Sequence, residues 1–123
     1  MAVLGSACSK NNDNNTPGDF SGAYVGTFSR TGMDTANVRL NIGNGIFSGQ
    51  SDRVKYPAIC HGSYSQGDNT ITFVDSCTWT ADFDWSLILN GTYNISYPDN
   101  TLIRIWRTSG AITDEYLLRK LTR

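Results

Sequence analysis

The chain holds one histidine, His61, with Ser63 and Ser65 two and four residues further on. Nucleophilic catalysis from such a set needs a hydroxyl, a base and a carboxylate that orients the base. The sequence places no carboxylate to orient His61. A lone histidine on a solvent-facing strand position is ordinarily neutral surface, so no triad is expected. Asp82 and Asp84 flank Phe83 between Trp79 and Trp85. Paired carboxylates suit glycoside hydrolysis or calcium binding, and two close indoles suit stacking on a sugar. Each has a plainer reading that leads here: the aspartates cap a solvated turn, and the tryptophans plug one end of the fold. The expected catalytic set is empty, with no enzyme activity, no cofactor and no metal.

Cys60 and Cys77 lack a second pair of ligands at zinc-like spacing, which leaves a disulfide or two reduced core thiols. The segment between them decides for the disulfide. With Asp68-Asn69 at the tip of a two-residue hairpin loop, Gln66 opposes Ile71, Tyr64 opposes Phe73, and Gly62 opposes Asp75. Continued outward, that register sets Cys60 directly against Cys77, where opposed Cα atoms about 4.5–5.5 Å apart suit a bridge. A loop of this length stabilises by roughly 3 kcal/mol. The bond implies an oxidising compartment. His61 then falls on the face opposite Cys60 and Tyr64, pointing to solvent.

What must position these residues is a sheet. The 123 residues make one domain by a prior of about 150 per domain. There is one glutamate and there are three lysines, while Thr, Ser, Asn and the aromatics (11%) are plentiful. Strand and turn formers dominate, which excludes helical bundles, coiled coils and nucleotide-binding α/β folds. A net charge of −1, from 10 basic and 11 acidic residues, argues against a nucleic-acid partner. Arg104, Arg107, Arg119, Lys120 and Arg123 form a local basic excess that reads as a solvated face near anionic headgroups. No run of 18 or more apolar residues is present, so no helix is expected to span a bilayer.

Eight strand-like runs alternate with turn signals. The first is Phe20–Arg30, with Tyr24 and Phe28 on one face. The second, Ala36–Ile42, carries Val38, Leu40 and Ile42 on one face, and Asn44-Gly45 then pairs Ile42 with Phe47 in the third. The disulfide hairpin supplies the fourth and fifth. The sixth alternates through Leu87, Leu89, Gly91, Tyr93, Ile95 and Tyr97, read as one long strand with a glycine bend. Tyr97-Pro98-Asp99-Asn100 predicts a three-residue loop pairing Tyr97 with Thr101, Ile95 with Ile103 and Tyr93 with Ile105. It sends Arg104 and Trp106 outward. The eighth strand runs from about Thr113 to Leu121.

Eight consecutive strands with short connections predict an all-β, eight-stranded antiparallel up-and-down barrel, closed so that no edge is exposed. A β-sandwich is the runner-up, and glycines 22, 26, 49 and 91 on the inward parity favour the curvature of a barrel. Eight strands leave an interior that side chains fill or that holds one small ligand. Tyr24, Phe28, Tyr64, Phe73, Tyr93 and Ile95 are the expected ligand-binding residues.

Two resemblances add to this. Gly5-Ser6-Ala7-Cys8 followed by the polar run from Ser9 to Gly18 resembles the lipobox and tether of bacterial lipoproteins, which implies lipidation of Cys8. Seven residues before Cys8 are too few for a signal peptide, so the upstream signal is read as missing from this chain. The segments Gly22–Phe28, Gly62–Tyr64, Thr70–Phe73 and Asp82–Gly91 resemble the small lipocalin-like lipoproteins of Gram-negative bacteria, within the calycin group. Tyr24 or Phe28 stands in for the tryptophan of the lipocalin Gly-x-Trp motif, and Arg119 for the basic residue that caps the barrel end. The expected organisation is a signal remnant and tether over 1–19 and a barrel over 20–123. The implied location is the bacterial cell envelope, on the periplasmic side or the outer-membrane surface. The implied function is binding of a small apolar or amphipathic ligand by a membrane-anchored barrel. The alternative is a protein-binding or inhibitor-type barrel with a solid core that acts through loops such as Thr78–Trp85. The sequons at Asn14, Asn90 and Asn94 are without consequence in such a compartment.

Overall fold

The computed structural model describes residues 21–80 and 84–121. Its strands are β1 (Gly22–Arg30), β2 (Ala36–Gly43), β3 (Ile46–Ser51), β4 (His61–Gln66), β5 (Thr70–Asp75), β6 (Gly91–Asp99), β7 (Leu102–Ser109) and β8 (Ile112–Lys120). Each pairs antiparallel with the next, and β8 returns to β1, giving a closed up-and-down barrel. Closure runs from Tyr24 opposite Lys120 to Arg30 opposite Asp114.

Local chemistry explains the sharpest turns and closest approaches. Asn44 and Gly45 both have positive φ, 53° and 77°, as a two-residue primed turn demands, and the turn sets Ile42 opposite Phe47. At the closing seam, a Cβ on Gly26 would stand 1.9 Å from the Leu117 carbonyl oxygen, so only glycine lets β8 lie this close to β1.

The period of two sends one face of every strand to the axis. Tyr24, Phe28, Val38, Leu40, Phe47, Ile71, Phe73, Tyr93, Ile95, Ile105, Tyr116 and Leu118 are all buried there. Rings meet in a continuous chain: Phe47 on Phe73 (5.1 Å between centroids), Phe73 on Tyr93 (5.9 Å), Tyr93 on Tyr116 (6.1 Å), Tyr116 on Phe28 (4.8 Å) and Phe28 on Tyr56 (5.3 Å). Most of these contacts are edge-to-face, the arrangement favoured by ring quadrupoles. Side chains fill the axis. The β4–β5 register sets Tyr64 opposite Phe73 and Gly62 opposite Asp75, as the hairpin arithmetic requires, and Cys60 is bonded to Cys77 with Cα atoms 6.4 Å apart.

Two stretches differ from expectation. The sixth strand begins at Gly91. The residues before it form a 3-10 turn, Trp85–Leu87, capped by the Asp84 carboxylate on the Ser86 N–H. Leu87, Ile88 and Leu89 are still buried, because Leu87 O and Leu89 N bond the main chain of Ala58. An isolated parallel bridge thus buries three consecutive residues where a strand would bury every second one, and Gly91, at φ +100°, turns the chain into β6. The β6–β7 register is also shifted by two residues: Ile95 opposes Ile105 and Ser96 opposes Arg104, with an irregularity between Ser96 and Asp99. That bulge takes up Pro98, which has no N–H for the ladder, and the turn tightens to Asn100-Thr101. A shift of two keeps every residue on its face, so Arg104 and Trp106 still point outward.

Candidate functional site at the barrel mouth

At one end the inward rows run past the apolar core into charge. Arg30 is the next inward position after Phe28 on β1, Asp75 after Phe73 on β5, Arg107 after Ile105 on β7, and Asp114 precedes Tyr116 on β8. Barrel closure brings these four strand ends together. They floor an open cavity of about 740 Å³ whose wall includes Trp79, Trp85, Ile88 and Ile112. The Ala58–Ile88 bridge ties the β3–β4 loop across to the β5–β6 connection on one side.

Arg30 is fully engaged. Its Nε donates to Asp114 Oδ1 at 2.6 Å, and Nη2 donates to Asp114 Oδ2 at 2.8 Å. Nη1 donates to Asp84 Oδ2 at 3.1 Å, and Nη2 reaches the Ser86 carbonyl at 3.3 Å. The bond to Asp114 is the main reason that the Arg30 pKa is raised still further above its ordinary value. The Asp84 carboxyl is held below the usual range, chiefly by the Ser86 hydroxyl and N–H and then by Arg30.

Arg107 is held differently. Its guanidinium lies 4.2 Å from the centre of the Tyr93 ring and donates to the main-chain carbonyls of Asn90 (2.9 Å) and Ser86 (3.5 Å). Among the described residues it has no carboxylate within ion-pair distance. Asp75 receives the Trp79 indole N–H on Oδ2 at 2.7 Å, while its Oδ1 is buried with no hydrogen-bond partner among the described residues. The Trp85 indole N–H donates to the Thr80 carbonyl at 2.8 Å, and the residue is 52% exposed. Beneath the floor, burial raises the phenol pKa of Tyr93 and Tyr116.

The residues expected to bind ligand lie below this cup. Tyr24, Phe28, Phe73, Tyr93 and Ile95 are buried in the core, Tyr64 packs half-buried against it, and none of the six lines the cavity. Tyr93 touches the site from below through Arg107. His61, Ser63 and Ser65 are exposed. His61 lies within 4.8 Å of both Cys60 and Cys77 sulfurs, which are bonded to each other. Asp84 caps its turn as its plainer reading holds. Arg107 departs from the solvated basic face and joins the mouth. Arg119 is exposed on the outer face and donates to Thr101 rather than capping the axis, because Leu118 occupies the inward position. Cys8, Asn14, Phe20, Asp82, Phe83 and Arg123 lie outside the described residues.

Sequence reasoning missed Arg30, Asp75 and Asp114 as a site. The available signal was a charged residue at an inward-parity position one step beyond the last buried apolar residue, seen on four strands. The closed eight-stranded barrel is consistent with a lipocalin-like fold. No protein-family model, no curated protein and no solved structure matches the chain.

Proposed function

We propose that this protein is a membrane-anchored binding barrel that holds a small amphipathic ligand in the cup at its mouth and does not turn it over. One observation carries the reading. The cup, about 740 Å³, combines apolar walls with a few convergent polar groups, and its size falls within the roughly 300–1,000 Å³ of small-molecule sites. The ring chain on the axis supports placing the ligand above the core, not within it. Anchoring through a lipid on Cys8, in a bacterial cell envelope, rests on the lipobox resemblance and agrees with the oxidised Cys60–Cys77 pair.

The filled core also favours a second reading, a protein-binding barrel that works through the loop carrying Trp79 and Trp85. Native mass spectrometry of the protein purified from its own membrane separates the two. A co-purifying small molecule together with acyl mass on Cys8 supports the first reading. A bound polypeptide in place of a small molecule supports the second, and an unacylated chain recovered from the soluble fraction removes the anchor.

A further inference from the structure

We infer that Cys60, His61 and Cys77 form a redox-gated site for copper(I), closed while the two sulfurs are bonded and open once a dithiol has reduced them. The site is independent of what the cup holds.

Geometry comes first. Both sulfurs and an imidazole nitrogen of His61 all lie within 4.8 Å of one another. Donors bonded to one metal at about 2.0–2.3 Å stand roughly 3.5–4 Å apart, a spread that side-chain rotation reaches from here. The main chain that carries the three residues is held without the bridge. Strands β4 and β5 pair out to Gly62 opposite Asp75, and the Ser76 N–H continues the ladder to the His61 carbonyl at 2.9 Å. The Cys60 carbonyl takes the Gly49 N–H at 3.0 Å. With Cα atoms 6.4 Å apart, Cys60 and Cys77 therefore stay facing each other when the S–S bond opens.

Donor chemistry selects the ion. Two thiolates and an imidazole, with no carboxylate in the group, disfavour the hard cations magnesium, calcium and manganese. Thiolates select copper(I) or zinc. Structural zinc is almost always four-coordinate, whereas the described residues supply three donors here. Conditions that reduce the bridge also keep copper as copper(I). His61 is exposed and both cysteines are half-buried, which gives the ion a path from solvent. The electrons balance: a protein dithiol is oxidised to its own disulfide, and its two electrons and two protons convert Cys60–Cys77 to two thiols. Copper(I) then displaces both protons as the thiolates bind it.

The test uses the full chain, reduced with dithiothreitol, desalted under nitrogen and titrated with copper(I) against a chromophoric chelator. The expected result is a single copper per chain in the reduced protein and none in the oxidised protein. His61→Ala weakens binding about tenfold or more, and Cys77→Ser abolishes it. Copper X-ray absorption of the loaded protein shows a nitrogen beside the sulfurs, and that nitrogen is missing in His61→Ala. His61 is exposed, so its variant keeps the fold, as circular dichroism verifies, even where Cys77→Ser does not. Binding indifferent to His61, equal uptake by the oxidised protein, or tighter binding of zinc than of copper(I) overturns the inference. So does a reduced protein that stays folded and takes up no copper, or one that unfolds and scatters its donors.

Discussion

Arg30 on β1 and Asp114 on β8 form a two-bond ion pair across the seam that closes the barrel, with both side chains 9% exposed. The pair sits on the last rung of β1–β8 pairing, where the apolar core gives way to the cup. It therefore joins two tasks: it closes the cylinder at its open end and fixes the floor of the site. Removing Asp114 takes away both of its bonds to the 9% exposed Arg30 and leaves the guanidinium only the exposed Asp84 as counter-charge. Asp114→Ala is expected to cost about 3 kcal/mol in urea unfolding. A charge-free pair, Arg30→Met with Asp114→Leu, should cost less than the sum of the single changes. Additive losses would show that the two residues do not act as a pair.

The buried phenols predict an alkaline limit. Desolvation raises Tyr93 and Tyr116 above 10.0 in the folded state, so the folded protein keeps protons that the unfolded chain releases there. Their contribution to stability is complete below pH 10 and falls as pH rises from 10 toward the folded values. Phenolate absorbance should show these two tyrosines titrating only as the barrel opens. Tyr116→Phe should flatten the alkaline loss of stability. Titration of all six tyrosines near pH 10 in the folded state would refute the burial assignment.

Reduction of Cys60–Cys77, with 17 residues of sequence separation, should lower stability by about 3 kcal/mol. The β4–β5 ladder is set by paired strands and should survive, so circular dichroism of the reduced protein is expected to stay native at neutral pH. Loss of the whole fold on reduction would show that the bridge, not the ladder, holds this hairpin.

How much of this was legible depends on whether parity or topology carried it. Face assignment needs only a period of two, so Tyr24, Phe28, Val38, Leu40, Phe73 and Tyr93 were readable as inward, and the two-residue slip at Pro98 moved none of their kind outward. The Asn44-Gly45 turn and the Cys60–Cys77 register were readable because short loops fix pairing. Leu87 and Leu89 misled: they are buried together with Ile88, without alternation, beside a parallel bridge to Ala58 that only the fold reveals. The cup was hidden for the same reason. Arg107 and Asp114 are partners in the β7–β8 hairpin, but Arg30 and Asp75 are far from them in sequence, and closure of β1 on β8 sets Arg30 opposite Asp114.

The closing seam is expected to be intolerant at Gly26. A methyl group there meets the Leu117 carbonyl oxygen at 1.9 Å and the Leu118 Cα at 2.8 Å, both main-chain atoms that cannot rotate away. Gly26→Ala should cost about 3 kcal/mol or more, or open the β1–β8 pairing. Gly43→Ala, where the added carbon meets nothing within 4 Å, is the control and should be nearly neutral in the same unfolding assay. A neutral Gly26→Ala would mean that β1 and β8 lie further apart than described.

Phe73 distinguishes a packed axis from a ligand channel. Its ring is 1% exposed and meets Phe47 on one side and Tyr93 on the other, both edge-to-face. Truncation to alanine removes both contacts and leaves a void that neighbouring strands, fixed by their ladders, cannot fill. The expected cost is about 3–5 kcal/mol, typical of a buried phenylalanine in a close-packed interior. Ligand affinity at the mouth should be unchanged, since Phe73 does not line the cup. A channel that normally admits ligand would respond in the opposite way: little loss of stability, because the ring already borders open space, and a marked change in ligand affinity or size preference. Urea unfolding and calorimetric titration of the same Phe73→Ala sample therefore place the ligand either above the aromatic chain or within it.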